Sequence, residues 1–101
     1  MNILLICATG LSTGKLVSKM QVENESGGYH HKIASCSFDN LKNYVEDFDV
    51  LLLGPQIRYK SHKVAKLAEE KNKKFAIIDS LSFIMGDGKA VLDQVHRLLQ
   101  E

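Results

Sequence analysis

Residues 2–14 read NILLICATGLSTG, an apolar run that stops at Cys7 and gives way to glycine, serine and threonine. A short apolar run bounded by turn chemistry predicts a strand buried on both faces. The residues that follow, 12–25, carry Leu16, Val17 and Met20 on one helical face, with Ser12 or Thr13 as a candidate N-cap and Ser26-Gly27-Gly28 as the stop. Strand, small-residue loop and helix in that order are the opening unit of a parallel sheet covered by helices.

The rest of the chain repeats this unit. Residues 31–37 predict a second strand, followed by a brief helical or turn segment over 38–45 in which Leu41 and Val45 are spaced four apart. Val50-Leu51-Leu52-Leu53 predicts a third strand, stopped by Gly54-Pro55 because proline cannot donate to a ladder. A helix over 59–72, a strand over 74–79 and a last helix over 87–99 complete the alternation, the last with Val91, Val95, Leu98 and Leu99 on one face. The expectation is an α/β fold: one three-layer domain over residues 1–101, with a four-stranded parallel sheet in order 2-1-3-4, right-handed crossovers, and a flavodoxin-like or low-molecular-weight-phosphatase-like architecture. Ligands in such sheets bind beyond the carboxyl ends of the strands, at the point where strand order reverses, and Cys7 falls there.

Composition narrows the function classes. Thirteen Lys+Arg against twelve Asp+Glu give a formal net charge of +1, which offers no global electrostatic case for a nucleic-acid partner. Lys60, Lys63, Lys66, Lys71, Lys73 and Lys74 do gather, but Glu69, Glu70, Val64, Leu67 and Ala68 interleave with them, which reads as a solvated helix face. The apolar runs fall far short of the ~20 residues of a spanning helix, and no leader pattern is present. With two cysteines, a disulfide scaffold is not expected and a reducing cytoplasm is. No long apolar stripe calls for a partner copy, so the expectation is a monomer.

The loop after Cys7 carries the chemistry. A cysteine is often simply a small buried hydrophobe. Here, however, Ala8, Thr9, Gly10, Leu11, Ser12, Thr13 and Gly14 lead directly into a helix, so their backbone N–H groups would converge on the sulfur. Helix N-termini lower thiol pKa values from ~8.5 to about 3.5–7.5. Once sulfur is bonded to phosphorus, the same N–H groups would hold three phosphate oxygens with no metal or cofactor. Cysteine phosphatases place an arginine six residues after the cysteine to fork onto the phosphoryl group. Thr13 stands at that position, and no Asp-Pro loop supplies a general acid. The loop is suited to carrying phosphate more than to releasing it.

On these residues the sequence resembles the IIB component of the lactose/cellobiose/chitobiose-type sugar phosphotransferase system. The resemblance spans essentially the whole chain: ILLICATGLSTGKLVSKM at 3–20, DVLLLGPQIRY at 49–59, AIID at 76–79 and VLDQVHRLL at 91–99. It implies a cytoplasmic phosphocarrier whose Cys7 accepts a phosphoryl group from a phosphohistidine of a IIA partner and passes it to a sugar, such as a β-linked disaccharide, held by a membrane IIC permease. It also implies that residues 8–14 wrap the phosphate, with Gly14 departing from the serine common at that position in the family. Gln56, Arg58 and Tyr59 are implied as partner or loop contacts.

Other residues have plainer readings. Cys36 is expected as a core thiol, with an oxidative Cys7–Cys36 bridge as the sharper alternative. His30, His31, His62 and His96 lie on different elements with no metal-ligand spacing, so solvent-facing or capping roles are expected. Asp79 is expected to cap or turn more than to approach the site. Two competing functions share the expected fold: a low-molecular-weight cysteine phosphatase or arsenate-reductase-like enzyme, and a receiver-type regulatory module. Thr13 at the arginine position weighs against the first, and the lack of acids flanking the first strand's end weighs against the second.

Overall fold

The computed structural model describes residues 1–9 and 13–101. Strand β1 (Asn2–Cys7) pairs in parallel with β2 (Lys32–Ser37) and with β3 (Val50–Leu53), and β3 pairs in parallel with β4 (Lys74–Ile77). The order is β2-β1-β3-β4, as expected, and Cys7 closes the central strand.

Two apolar clusters cover the two faces, and the period-2 alternation of β1 assigns its residues between them. Ile3 and Leu5 join Leu52, α1 (Gly14–Ser26) and α4 (Gly88–Leu99) through Leu16, Met20, Val91, Leu92 and Val95. Leu4 and Ile6 join Cys36, Leu51 and Leu53, the 3-10 segments after β2 through Leu41 and Val45, and α2 (Ser61–Glu70) through Val64 and Ala68. Gly88 sits where α4 crosses α1: a Cβ there would stand 2.5 Å from the backbone of Lys19.

Four local expectations change. The helix expected over 59–72 begins as a 3-10 segment, Pro55–Lys60, interrupted at Ile57 by non-helical angles, so the α-helix starts only at Ser61. Strand β4 stops at Ile77, and Asp79 caps, as expected of it, a short helix that the sequence reading missed, α3 (Ser80–Met85), by accepting from the Ser82 N–H and hydroxyl. That helix leaves Leu81, Ile84 and Met85, spaced i, i+3 and i+4, exposed on one face. Thr13 takes the N-cap position of α1 without a side-chain cap bond, and Ser12, the other cap candidate, lies outside the described residues with Gly10 and Leu11. Among the described residues no helix is long and apolar enough to cross a membrane.

Candidate functional site

The carboxyl end of β1 is flanked by the ends of β2 and β3. In register, Cys7 stands opposite Ser37, and Gly54 follows Leu53, the partner of Ile6. The Gly54 N–H donates to the Ile6 carbonyl at 2.8 Å, which brings the backbone of residue 54 against the cysteine. A Cβ at Gly54 would lie 3.3 Å from that carbonyl oxygen, 3.8 Å from Cys7 Cβ and 3.1 Å from Gln56 Oε1. Glycine here permits close approach, which the sequence reading credited only as a strand stop.

The sulfur has a hydroxyl neighbour where a phosphatase would place its arginine. Thr13 is fully buried, and its Oγ1 donates toward Cys7 Sγ at 3.6 Å. Cys7 is 1 % exposed and its Sγ makes a long contact, 3.9 Å, to the Cys36 carbonyl oxygen. Thr13 thus stands at the N-cap position of α1 with its hydroxyl directed at sulfur and no side-chain cap bond.

Cys36 belongs to the opposite face. It stands in register with Ile6 and packs in the Leu4–Ile6 cluster, while Cys7, one residue on, points away from that side. No disulfide joins the two, and the register argues against the oxidative bridge, because thiols directed to opposite sides of a sheet do not meet bridging geometry. Burial first, and the neighbouring Cys7 second, push the Cys36 thiol up to about 11.

The remaining expected residues divide. Ala8 and Tyr59 line one recess of about 200 Å³ together with Phe38, Asp39, Ile57 and Lys60. Lys60 Nζ lies 4.4 Å from the Phe38 ring centroid, so a cation stands at the same recess. Arg58 instead reaches sideways to the Ser80 hydroxyl at 3.1 Å, linking the segment after β3 to α3. Gln56 folds over Gly54. Thr9 and Gly14 are exposed, while Gly10, Leu11 and Ser12 of the expected cradle lie outside the described residues. A larger crevice of about 520 Å³, lined by Leu41, Lys63, Val64 and Leu67 among others, runs along α2 and does not include Cys7 or Thr13.

Residues 2–94 match the family model described as "PTS system, Lactose/Cellobiose specific IIB subunit". The chain belongs to this IIB family. Relatives agree over nearly the full length. The oligo-beta-mannoside-specific EIIB component of Bacillus subtilis (strain 168) is 33% identical over 98 residues, covering 97% of this chain and 95% of that protein. The galactose-specific EIIB component of Lactococcus lactis subsp. cremoris (strain MG1363) is 35% identical, covering 96% and 94%. Among solved structures, the cellobiose-specific IIB protein of Borrelia burgdorferi superposes with a TM-score of 0.80 at 30% identity, covering 97% of this chain and 90% of that one. The lactose-specific IIB domain of Streptococcus pneumoniae superposes with a TM-score of 0.86 over 96% and 95% of the two chains; at 15% identity it shows shared fold. Membership carries a transferase role within sugar phosphotransfer.

Two features of this IIB chain escaped the sequence reading. Asn24, buried in α1, accepts the His31 N–H at 3.1 Å through Oδ1 and donates to the His31 carbonyl at 2.9 Å through Nδ2. An asparagine on the buried face of a helix was the available signal. The second is the meeting of His31 with His96, expected to be separate and solvent-facing but half-buried and in contact here. Sixty-five residues separate them, so local spacing holds no trace of the pair.

Proposed function

We propose that residues 1–101 act as one cytoplasmic phosphocarrier unit in which Cys7 takes a phosphoryl group from a phosphohistidine of a IIA partner and delivers it to a sugar held by a membrane IIC permease. The observation that carries this reading is the buried Thr13 hydroxyl directed at Cys7 Sγ where a cysteine phosphatase would have its arginine fork. A hydroxyl that donates to sulfur favours the thiolate over the thiol and adds no positive fork onto the phosphoryl group. In the first step the sulfur attacks phosphorus, the S–P bond forms as the P–N bond breaks, and the imidazole leaves with the electron pair and picks up a proton. In the second, a sugar hydroxyl attacks the same phosphorus, the S–P bond breaks, and the hydroxyl proton is released. Both steps need alignment and charge stabilisation more than a general acid on this chain.

Ala8, Thr9, Gly10, Leu11, Ser12, Thr13 and Gly14 are the cradle in this reading. Tyr59 and Lys60, at the recess that includes Ala8, are the partner-facing rim, with Gln56 and Arg58 positioning the segment behind it. The transported sugar is a β-linked sugar such as cellobiose, chitobiose or lactose. Relatives named for oligo-beta-mannoside, galactose and cellobiose share this chain at nearly equal identity, which accords with sugar choice residing in the permease.

The reading is tested by incubating the protein with phosphoenolpyruvate, the general phosphotransferase proteins and a IIA protein, then measuring intact mass. One phosphoryl group per chain, lost in Cys7→Ser and returned to added unphosphorylated IIA, is the expected result. Steady hydrolysis of an aryl phosphate with no retained adduct would instead identify a phosphatase.

A further inference from the structure

The lysines that the sequence presents as one solvated helix face divide in the structure. Lys71 pairs with Glu46 at 2.7 Å, Lys73 Nζ donates to the Glu46 carbonyl at 3.3 Å, and Lys74 Nζ donates to the Glu101 backbone oxygen at 3.2 Å. Lys60, Lys63 and Lys66 form no ion pair among the described residues. Lys60 instead rests over the Phe38 and Tyr59 rings, 4.4 and 5.7 Å from their centroids.

All three border one groove. The recess of about 200 Å³ that Ala8 and Lys60 line shares Phe38 and Asp39 with the crevice of about 520 Å³ that Lys63 and Lys66 border along α2. The joint groove therefore starts at the residue after the cysteine and runs to Glu70, the end of α2, a helix of 10 residues that spans roughly 15 Å. Its floor is apolar: Leu41 and Val64 are buried, whereas Phe38 and Leu67 are only half-buried and keep apolar surface open. Lys42 stands on the wall formed by the 3-10 segment after β2, so four lysines meet only two carboxylates, Asp39 and Glu70, on a chain whose formal net charge is +1.

An open apolar floor between unneutralised cations fits a ligand that is apolar on one side and acidic on its flanks. The length suits about ten residues of an amphipathic helix laid along α2. A lipid surface is flat and would meet the lysines while leaving Phe38 and Leu67 uncovered. Cytoplasmic loops of a membrane permease carry an excess of Lys and Arg, which this rim repels. A soluble protein partner is left, and the phosphoryl donor is the one that must come to rest beside Ala8.

We propose that the groove docks an acidic amphipathic segment of the IIA partner, with apolar side chains on Phe38 and Leu67 and carboxylates against Lys60, Lys63 and Lys66. This docking presupposes that the chain is a phosphocarrier served by IIA, and it adds a recognition surface outside the phosphate loop: the Cys7 end carries the chemistry and the α2 flank selects the donor. Charges on an exposed rim act on encounter more than on the bond-making step, so they govern the KM for the donor and its salt dependence.

The test measures phosphoryl acceptance by the full chain from a phosphorylated IIA protein of the lactose/cellobiose class, over a range of IIA and NaCl concentrations. Lys63→Glu and Lys66→Glu are compared with Lys19→Glu, the same charge change at an exposed position of α1 on the opposite face of the sheet. The expected result is a rise in KM of roughly 3–10-fold for Lys63→Glu and for Lys66→Glu, with the rate at saturation unchanged and the difference shrinking at about 0.5 M NaCl, while Lys19→Glu stays within about 2-fold of the parent. Backbone amide NMR shifts on titration with unphosphorylated IIA give a second readout: Lys66 and Leu67 should move, and Val22 on α1 should not. Equal KM values for the three variants, with normal transfer to the parent chain, overturn the groove and leave the phosphocarrier reading standing. No transfer from IIA to Cys7 in the parent chain removes both. A defect confined to transfer onward to sugar in permease-containing membranes, with KM for IIA unchanged, also overturns the proposal, because it sets the groove against the membrane side.

Discussion

The two ends of the sheet are built by opposite means. At the amino end, side chains tie strands and helices together: Asn2 N–H donates to the Asp49 carboxylate at 2.8 Å, Asn2 Nδ2 to the Asp47 carbonyl at 2.8 Å, Asn24 brackets His31, and His31 meets His96. At the carboxyl end around Cys7, the contacts are close backbone approaches and small groups: Gly54 against the cysteine, the Ser37 position in register, and the Thr13 hydroxyl on sulfur. The difference teaches that, among the described residues, side-chain hydrogen bonds gather at one end while small groups stand beside the sulfur at the other. Stability and chemistry should therefore respond to different substitutions.

The largest effect belongs to neither end and sets the scale. Gly88→Ala forces a methyl to within 2.5 Å of the Lys19 backbone at the α1–α4 crossing, and helices cannot separate without opening the Met20–Val91 core. A loss of roughly 3 kcal/mol is expected in denaturant unfolding, at the upper end of overpacking costs. Asn24→Ala attacks the amino end: it removes the side-chain partners of the half-buried N–H and carbonyl of His31, at a cost of roughly 1 kcal/mol. Phosphorylation per folded molecule should be unchanged, and a large drop there would break the division between the two ends.

The carboxyl end should show the reverse. Thr13→Val keeps the shape and removes only the hydroxyl, so phosphoryl acceptance should slow by about 5–10-fold, the equivalent of one hydrogen bond, while Thr13→Ser retains it. Rapid-quench kinetics with phosphorylated IIA would read this, and equal rates for Val and Ser would remove Thr13 from the site. Gly54→Ala should cost about 1 kcal/mol, because the new methyl meets the Ile6 carbonyl at 3.3 Å and the movable Gln56 amide at 3.1 Å.

Cys36 gives the smallest effect at neutral pH. Its thiol is raised from the ordinary 9.0 to about 11 in the fold, so the fold favours the neutral form. That contribution is fully present below pH 9 and is lost as pH rises through about 11, because the unfolded chain releases the proton first. Folded protein at pH 8 should leave Cys36 unalkylated by iodoacetamide. Cys36→Ala should flatten the alkaline limb of the stability curve.

How much of this was legible in the sequence follows from the range of the interactions. The apolar runs at β1 and β3 are buried on both faces, and with strand–helix alternation they lead to the parallel sheet and its order. Thr13 was legible as the residue at the arginine position because that spacing is local to one loop. Gly54 beside Cys7, the opposed facing of Cys36, and the His31–His96 contact all depend on register or helix docking between distant segments, and no local period encodes them. Helix α3 was missed because it is six residues long, begins at a cap that reads equally well as a turn, and presents its large apolar residues to solvent.

The central claim is that the phosphoryl group resides on the small-residue end of the sheet, on sulfur. Peptide mapping by mass spectrometry of the protein phosphorylated through IIA, under digestion conditions that preserve S–P bonds, tests it most directly. The expected result is a single phosphopeptide containing Cys7, with His31- and His96-containing peptides unmodified. A phosphoryl group on a histidine peptide, or retained in Cys7→Ser, would contradict it.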